Sequence, residues 1–314
     1  MTKYGVLRRK RCGSARFAGD CGVQFGAMCP RVDLVSWHSP RVTEGINAEL
    51  KTDRAAKLLA AYDDQLRGGA ESADVPTSTD GPVIRVEYPN RGFVSYRSLA
   101  GLDGAELDAL IARQREYFAA KGQPVEWKTR GHDLPADLTE RLTAAGFVPE
   151  ERETVVIAES ADIVERLSGR DTVDGVTIRR TEDKADFERI AAMESTVWDQ
   201  DWSWLTDDLV RRHATGLTDI FVAEADTTGE VVSAAWAVYK KNTDFTGLWG
   251  GSTLAEWRGR GIYKALVAVR AARAVELGYR YLQVDASDDS SPILQRLGFL
   301  AVTTTTPYVY TAKN

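Results

Sequence analysis

The chain has no apolar run approaching the ~20 residues that a bilayer-spanning helix needs. Its start lacks the apolar core of a secretory signal. The expected compartment is therefore the cytosol, with no membrane partner. Cysteine is scarce. The three present, Cys12, Cys21 and Cys29, crowd into the first thirty positions at spacings that suit no common zinc motif. A disulfide framework is not expected in that compartment, and the three are read as incidental. Histidine is equally sparse, and His38, His132 and His213 show no ligand spacing, so no metal is expected. No G-x-G-x-x-G is present, which argues against a dinucleotide fold. No P-loop and no Ser-His-Asp pattern is present either.

Charge is unevenly placed. Residues 1–41 hold eight basic and two acidic residues, a local balance of +6, so the rest holds −12 of the total −6. This head shows no period and reads as a disordered basic tail; the alternatives are a targeting segment, for which no amphipathic helix is visible, and a natural start at Met28. An acidic body argues against nucleic acid as partner. At 314 residues the chain has room for two domains.

The most informative stretch is Leu248–Leu266, LWGGSTLAEWRGRGIYKAL. It begins as a strand, passes through Trp257-Arg258-Gly259-Arg260-Gly261, and becomes a helix. Ile262, Ala265, Leu266, Val269, Ala272 and Val275 are read as its apolar face, and Gly278 as its stop. A strand opening through glycines into a helix is a place to bind phosphate. The first helical amides lack internal partners and sit at the positive end of the dipole. Arg258 and Arg260 add charge.

Next come a strand, Tyr279–Val284, and a short helix led by Pro292 and closing on Leu297-Gly298-Phe299. This order resembles the GNAT superfamily of acyl-CoA N-acyltransferases. Its R-x-x-G-x-G/A signature is matched at Arg258 and Gly261, and its late L-G-F at Leu297, Gly298 and Phe299. Tyr263 stands where the family has Gly or Ala. The resemblance covers residues 176–314. It implies acetyl-CoA as acyl donor and an amine as acceptor. It also implies a pantetheine site at Ser252, Thr253 and Leu254, and a pyrophosphate site over Arg258, Gly259, Arg260, Gly261, Ile262 and Tyr263. Ser287 falls at the family's usual Asn.

The first half repeats the order: a strand, a helix to Gly122, a strand at Trp127, a helix from Pro135, then Gly146-Phe147 and a strand at Glu153–Ala158. Asp103 and Glu106 form a capping-box pattern where the second half has its Arg-Gly turn. A carboxylate there repels phosphate. The expected architecture is thus α/β (α+β), with two GNAT-like mixed-sheet domains in tandem. Residues 42–160 form a degenerate copy without the CoA motif, and 161–314 the acetyl-CoA-binding N-acetyltransferase domain. A helix over 44–66, a loop over 68–81 and a linker over 159–175 complete the reading. Monomer and homodimer stay open.

Acyl transfer to an amine needs a base for the amine's proton and, often, an acid for the thiolate. In the family a Tyr four residues before Gly-Phe is frequently that acid. Here the position is Leu294. Substitute acids are Tyr308, Tyr310 and Tyr263, and candidate bases are Asp285, Glu194 and Asp244. Asp285 and Tyr308 are the leading pair. Trp198, Trp202 and Trp204 would wall the acceptor site. The alternative function is a CoA-binding regulatory or sensing module without catalysis.

Overall fold

The computed structural model describes residues 40–69, 75–89 and 91–312, with side chains from residue 51 on. The chain divides at Leu50/Lys51, and every strand belongs to the unit that begins at Lys51. The basic head and its cysteines lie outside the described residues, apart from positions 40 and 41.

Helix α1 (Pro40–Leu66) leads into the first half. Strands β1 (Thr77–Asp80), β2 (Val83–Tyr88) and β3 (Arg91–Tyr96) come next, then α2 (Gly104–Ala119) and β4 (Val125–Arg130). Helix α3 (Leu138–Ala144), β5 (Val148–Pro149) and β6 (Glu153–Glu159) complete this half. The second half runs α4 (Ser160–Arg166), β7 (Val176–Thr181), α5 (Lys184–Trp198), α6 (Trp204–Ala214), β8 (Thr218–Ala225), β9 (Val231–Tyr239) and β10 (Phe245–Thr253). It ends with α7 (Ile262–Glu276), β11 (Tyr281–Ala286), α8 (Ser291–Arg296) and β12 (Leu300–Tyr310). No helix among the described residues is long and apolar enough to cross a membrane.

Several boundaries differ from the sequence reading. The expected loop over 68–81 contains β1, a Thr/Ser strand with no apolar alternation that pairs with β2. Helix α3 begins three residues after Pro135. Asp103 holds the N-cap position of α2, but its side chain makes no capping hydrogen bond. On α7 the buried face is Ile262, Ala265, Leu266, Val267, Ala268, Ala271 and Ala274, while Ala272 and Val275 are exposed. A run of three-residue steps falls about 60° short of a turn each time, so a stripe read that way drifts off the face.

All the strands form one sheet in the order β1-β2-β3-β4-β12-β6-β11-β10-β9-β8-β7, with β5 off the path against β12. The two halves exchange their last strands. Strand β6 of the first half pairs along its whole length with β11 of the second, apart from its first residue. Strand β12 pairs first with β6, through Thr305, and then crosses to β4 from Thr305 onward. The sheet is therefore continuous across the halves. Val155 and Ile157 of β6 pack with Leu58 and Tyr62 of α1 and with Phe245 and Tyr281.

Each half also opens its sheet in the same place. Parallel pairing of β10 with β11 covers only Phe245–Gly247 against Tyr281–Gln283. Parallel pairing of β3 with β4 covers only Gly92–Val94 against Val125–Trp127. Beyond these three pairs the strands part.

Candidate active site

The gap between β10 and β11 starts after Gly247. From Leu248 on, β10 keeps its antiparallel partner β9 but has no partner on the β11 side, and a bulge falls between Gly250 and Ser252. Two glycines make the bulge possible. Gly250 and Gly251 have φ of 69° and 94°, and a Cβ there would come within 2.7 Å of the Trp236 ring and 2.8 Å of the Tyr263 ring respectively. The bulge is pinned from below by Arg270, which is fully buried. Its guanidinium donates to the carbonyls of Trp249 (3.0 Å) and Leu266 (2.8 Å). Burial brings its pKa down to about 10, so it stays a cation at neutral pH. An arginine interrupting the apolar face of α7 is the sequence signal for this pin, absent from the apolar stripe expected there.

Beyond the bulge, the Ser233 hydroxyl donates to the Ser252 carbonyl (2.5 Å) and lies 2.9 Å from Thr253 Oγ1. The Leu254 amide donates to the Val232 carbonyl (2.9 Å), and the Leu254 side chain is buried. A single 3₁₀ turn, Ala255–Trp257, leads to the Arg-Gly segment. Gly259 and Gly261 have φ of 80° and 93°, and a Cβ at either would meet nothing within 4 Å. The first amide of α7 bonded back to the chain is Ala265, to the Gly261 carbonyl (3.0 Å). The helix start carries no side-chain cap. This is an open cradle with free amides, and it fits a pyrophosphate. Arg258 donates to the Thr253 carbonyl (3.0 Å), and Arg260 lies over the Trp257 ring at 4.5 Å. Tyr263 does not project over this cradle. Its ring turns inward onto Gly251, half-buried against the cluster that includes Leu248, Leu282 and Ala286. Burial, opposed by Arg270, raises its pKa.

On the face of the gap toward α5 stands Glu194, 2% exposed. Its Oε2 accepts from Trp198 Nε1 (2.8 Å), and Trp198 Nε1 is also 3.3 Å from Ser252 Oγ. Its Oε1 is buried with no hydrogen-bond partner. Burial pushes the carboxyl up to about 7, against the lowering effect of Ser252 and Trp198. Trp198, Trp202 and Trp204 form a tilted series, with centroids 6.4 and 5.2 Å apart, from beside Glu194 out to the exposed Trp204.

Asp285 lies on β11 beyond the last parallel pair. Its Oδ2 accepts from Lys128 Nζ (2.5 Å) and its Oδ1 from Gln283 Nε2 (2.7 Å). Ser287 starts the turn into α8, where its carbonyl accepts from the Ser291 amide (2.9 Å). Leu294 is fully buried. Tyr308 is not brought to the gap. It sits where β12 pairs with β4, opposite Trp127, and packs with the first half's core. Tyr310 lies there too, 5.6 Å from the Phe147 ring. Asp244 lies at the other end of these strands, just before β10: its carbonyl accepts from the Tyr281 amide at the start of β11 (2.8 Å), and its carboxylate accepts from Gln65 of α1 (3.0 Å). His132 meets Asp63 (3.0 Å) and Thr303 (2.8 Å) in the first half. The exchange of β12, invisible in local sequence, is what removes Tyr308 and Tyr310 from the second half.

Residues 183–299 match the family model described as acetyltransferase (GNAT) family. They are a GNAT-family domain. The match opens at the N-cap of α5 and closes at Phe299, just before the exchanged strand. The tandem arrangement has relatives in structure. A GCN5-related N-acetyltransferase from Kribbella flavida superposes with a TM-score of 0.61 at 18% identity, covering 82% of this chain and 96% of that one. A tandem GNAT protein from the clavulanic acid biosynthesis pathway gives 0.53 at 14%, covering 74% and 79%. A GCN5-related N-acetyltransferase from Sphaerobacter thermophilus gives 0.51 at 15%, covering 73% and 76%. No curated protein sequence matches the chain. The acetyltransferase fold is thus present, with its cradle at Gly259 and Gly261 and its gap beside Glu194.

Proposed function

We propose that this protein transfers an acetyl group from acetyl-CoA to an amine, with residues 161–314 as the transferring domain and 42–160 as its support. Acetyl-CoA, when bound, supplies an acyl carbon already activated as a thioester. The amides at Gly259–Lys264, with Arg258 and Arg260 near them, hold the pyrophosphate. The end of β10 at Ser252 and Thr253, which has no strand partner on the β11 side, and Leu254 just past it receive the amide-bearing arm. The observation that carries the reading is Glu194: a buried carboxyl beside the β10 bulge, pushed up to about 7, with one oxygen unpartnered. A base matched to neutral pH is what an amine nucleophile requires. Glu194 Oε1 takes the amine's proton as nitrogen attacks. The carbon–sulfur bond breaks, and the thiolate takes a proton from Tyr263, which burial keeps protonated. The Tyr263 hydroxyl is restored by the proton that Glu194 releases through solvent, so no net proton is gained. Tyr308 has no part in this scheme.

Free-thiol release with acetyl-CoA and a panel of amines (an alkylamine, a polyamine, an amino acid, an aminoglycoside, a lysine peptide) tests the reading. Amine-dependent release in wild type, lost in Glu194→Gln, is the expected result. Tight acetyl-CoA binding with no release from any amine would favour a regulatory module instead.

A further inference from the structure

The second half's gap is not built from the second half alone. Asp285 stands on its β11 rim, and the group that holds its carboxylate is Lys128 of β4, in the first half (2.5 Å). The strand exchange brings them together. Lys128 pairs with Pro307 on β12, Glu153 with Thr305, and Asp285 with Val155 on β6. The second half itself offers Asp285 the Gln283 amide (2.7 Å). Lys128 faces a second carboxyl, Glu153, whose Oε2 lies 3.6 Å from Nζ. All three side chains are largely shielded, at 8%, 11% and 18% exposure for Lys128, Glu153 and Asp285. Glu126, two residues before Lys128 on β4, is separately paired with Arg91 (2.7 Å).

A buried ion pair is a poor stabilising device, because the cost of desolvating both charges offsets their attraction. An apolar pair would cement the halves at least as well. What an apolar pair cannot do is fix a carboxylate at the edge of an open gap. Asp285 points to the same side of β11 as Gln283, to which it is bonded, and stands beyond the last residue that β10 covers. We propose that Lys128 is a positioning residue of the transferase: it holds Asp285 at the rim so that this carboxylate orients the incoming amine, which makes the first half a working part of the site. This rests on the acyl-transfer reading above. Asp285 takes no proton in it; Glu194 does.

Steady-state thiol release by the full chain tests it, with the amine and acetyl-CoA varied separately. Lys128→Met should lower kcat/KM for the amine about tenfold or more, the scale expected when a positioning contact is lost. KM for acetyl-CoA should stay within about twofold. Lys128→Arg, which keeps the charge, should recover most of the loss. Asp285→Asn leaves Lys128 its Glu153 partner, so it keeps the fold if Lys128→Met does not, and it should show the same amine-specific loss. Wild-type amine kinetics in a folded Lys128→Met or in Asp285→Asn would overturn this proposal alone. A wild-type protein that releases no thiol with any amine would overturn the transfer reading and this proposal with it.

Discussion

Trp127 and Gln283 hold the same place in their halves. Each is the last residue of its strand to pair in parallel with the strand before it, Trp127 with Val94 and Gln283 with Gly247. Past that point the second half stays open, but the first is laced shut. The Tyr96 hydroxyl donates to Asp133 (2.5 Å), which also accepts from Arg67 (2.5 Å) and the Arg130 amide (2.6 Å). The start of α2 has Asp103 and Glu106 in place of arginines and an open cradle. The intact protein should therefore take up one equivalent of acetyl-CoA by isothermal titration. Two equivalents would show that the first half binds as well.

A chain beginning at Gly175 lacks β4 and β6. Strand β11 would become a bare edge, and β12 would lose both its long partners. Such exposed edges invite aggregation. This fragment should be insoluble, or show no cooperative melt by circular dichroism. A folded, monomeric fragment would refute the account of the exchanged strands.

Gly261 tests the cradle. Its φ of 93° penalises any side chain, so Gly261→Ala and Gly261→Asp share a backbone cost of about 1–2 kcal/mol. Only Asp adds a negative charge at the helix start. Acetyl-CoA affinity should fall by a further factor of roughly ten or more from Ala to Asp. Equal affinities would remove the pyrophosphate from this turn.

Glu194→Gln should lower kcat by about 10²-fold. In wild type, kcat/KM should rise with pH along a limb centred near 7, where the carboxyl ionises, and the variant should lack that limb. Stability runs the other way. The folded carboxyl is raised to about 7, above the ordinary value near 4.3. Its contribution is full below about pH 4.3 and is lost as pH climbs through 7. Thermal melts should show Glu194→Gln gaining on wild type between about pH 5 and pH 8. Glu153, also raised to about 7, keeps its own share of the slope in both proteins.

Tyr263→Phe should reduce kcat by ~10²-fold with little change in KM, while Tyr308→Phe should leave kcat within about twofold. The opposite ranking would return the acid to the last strand.

The strand-turn-helix at Gly250–Glu276 is legible in the sequence because its signals are local: glycines at the turn, apolar periodicity after it, Gly278 at its end. The duplicated order of elements is legible for the same reason, and the strand at Trp127 takes in the first half the place that Tyr281–Ala286 takes in the second. Strand β1 is not, because Thr-Ser-Thr-Asp has no apolar face and is held by backbone pairing with β2. Glu194 stands among three candidate bases. Only burial, set by α5 folding over the bulge, separates it from Asp244 on an exposed turn. Tyr308 reads as a residue of the second half's site because the choice of partner strand leaves no trace in a strand's own residues.

Strand β12 has a consequence for how the molecule is made. It is later in the chain than every other strand, yet every strand it pairs with, β4, β5 and β6, belongs to the first half. Lys128 waits for Pro307, and Trp127 for Tyr308, across most of the polypeptide. Such long-range pairing is slow to form. During synthesis the half that emerges first is finished last, and until β12 arrives the edges of β4 and β6 stay uncovered.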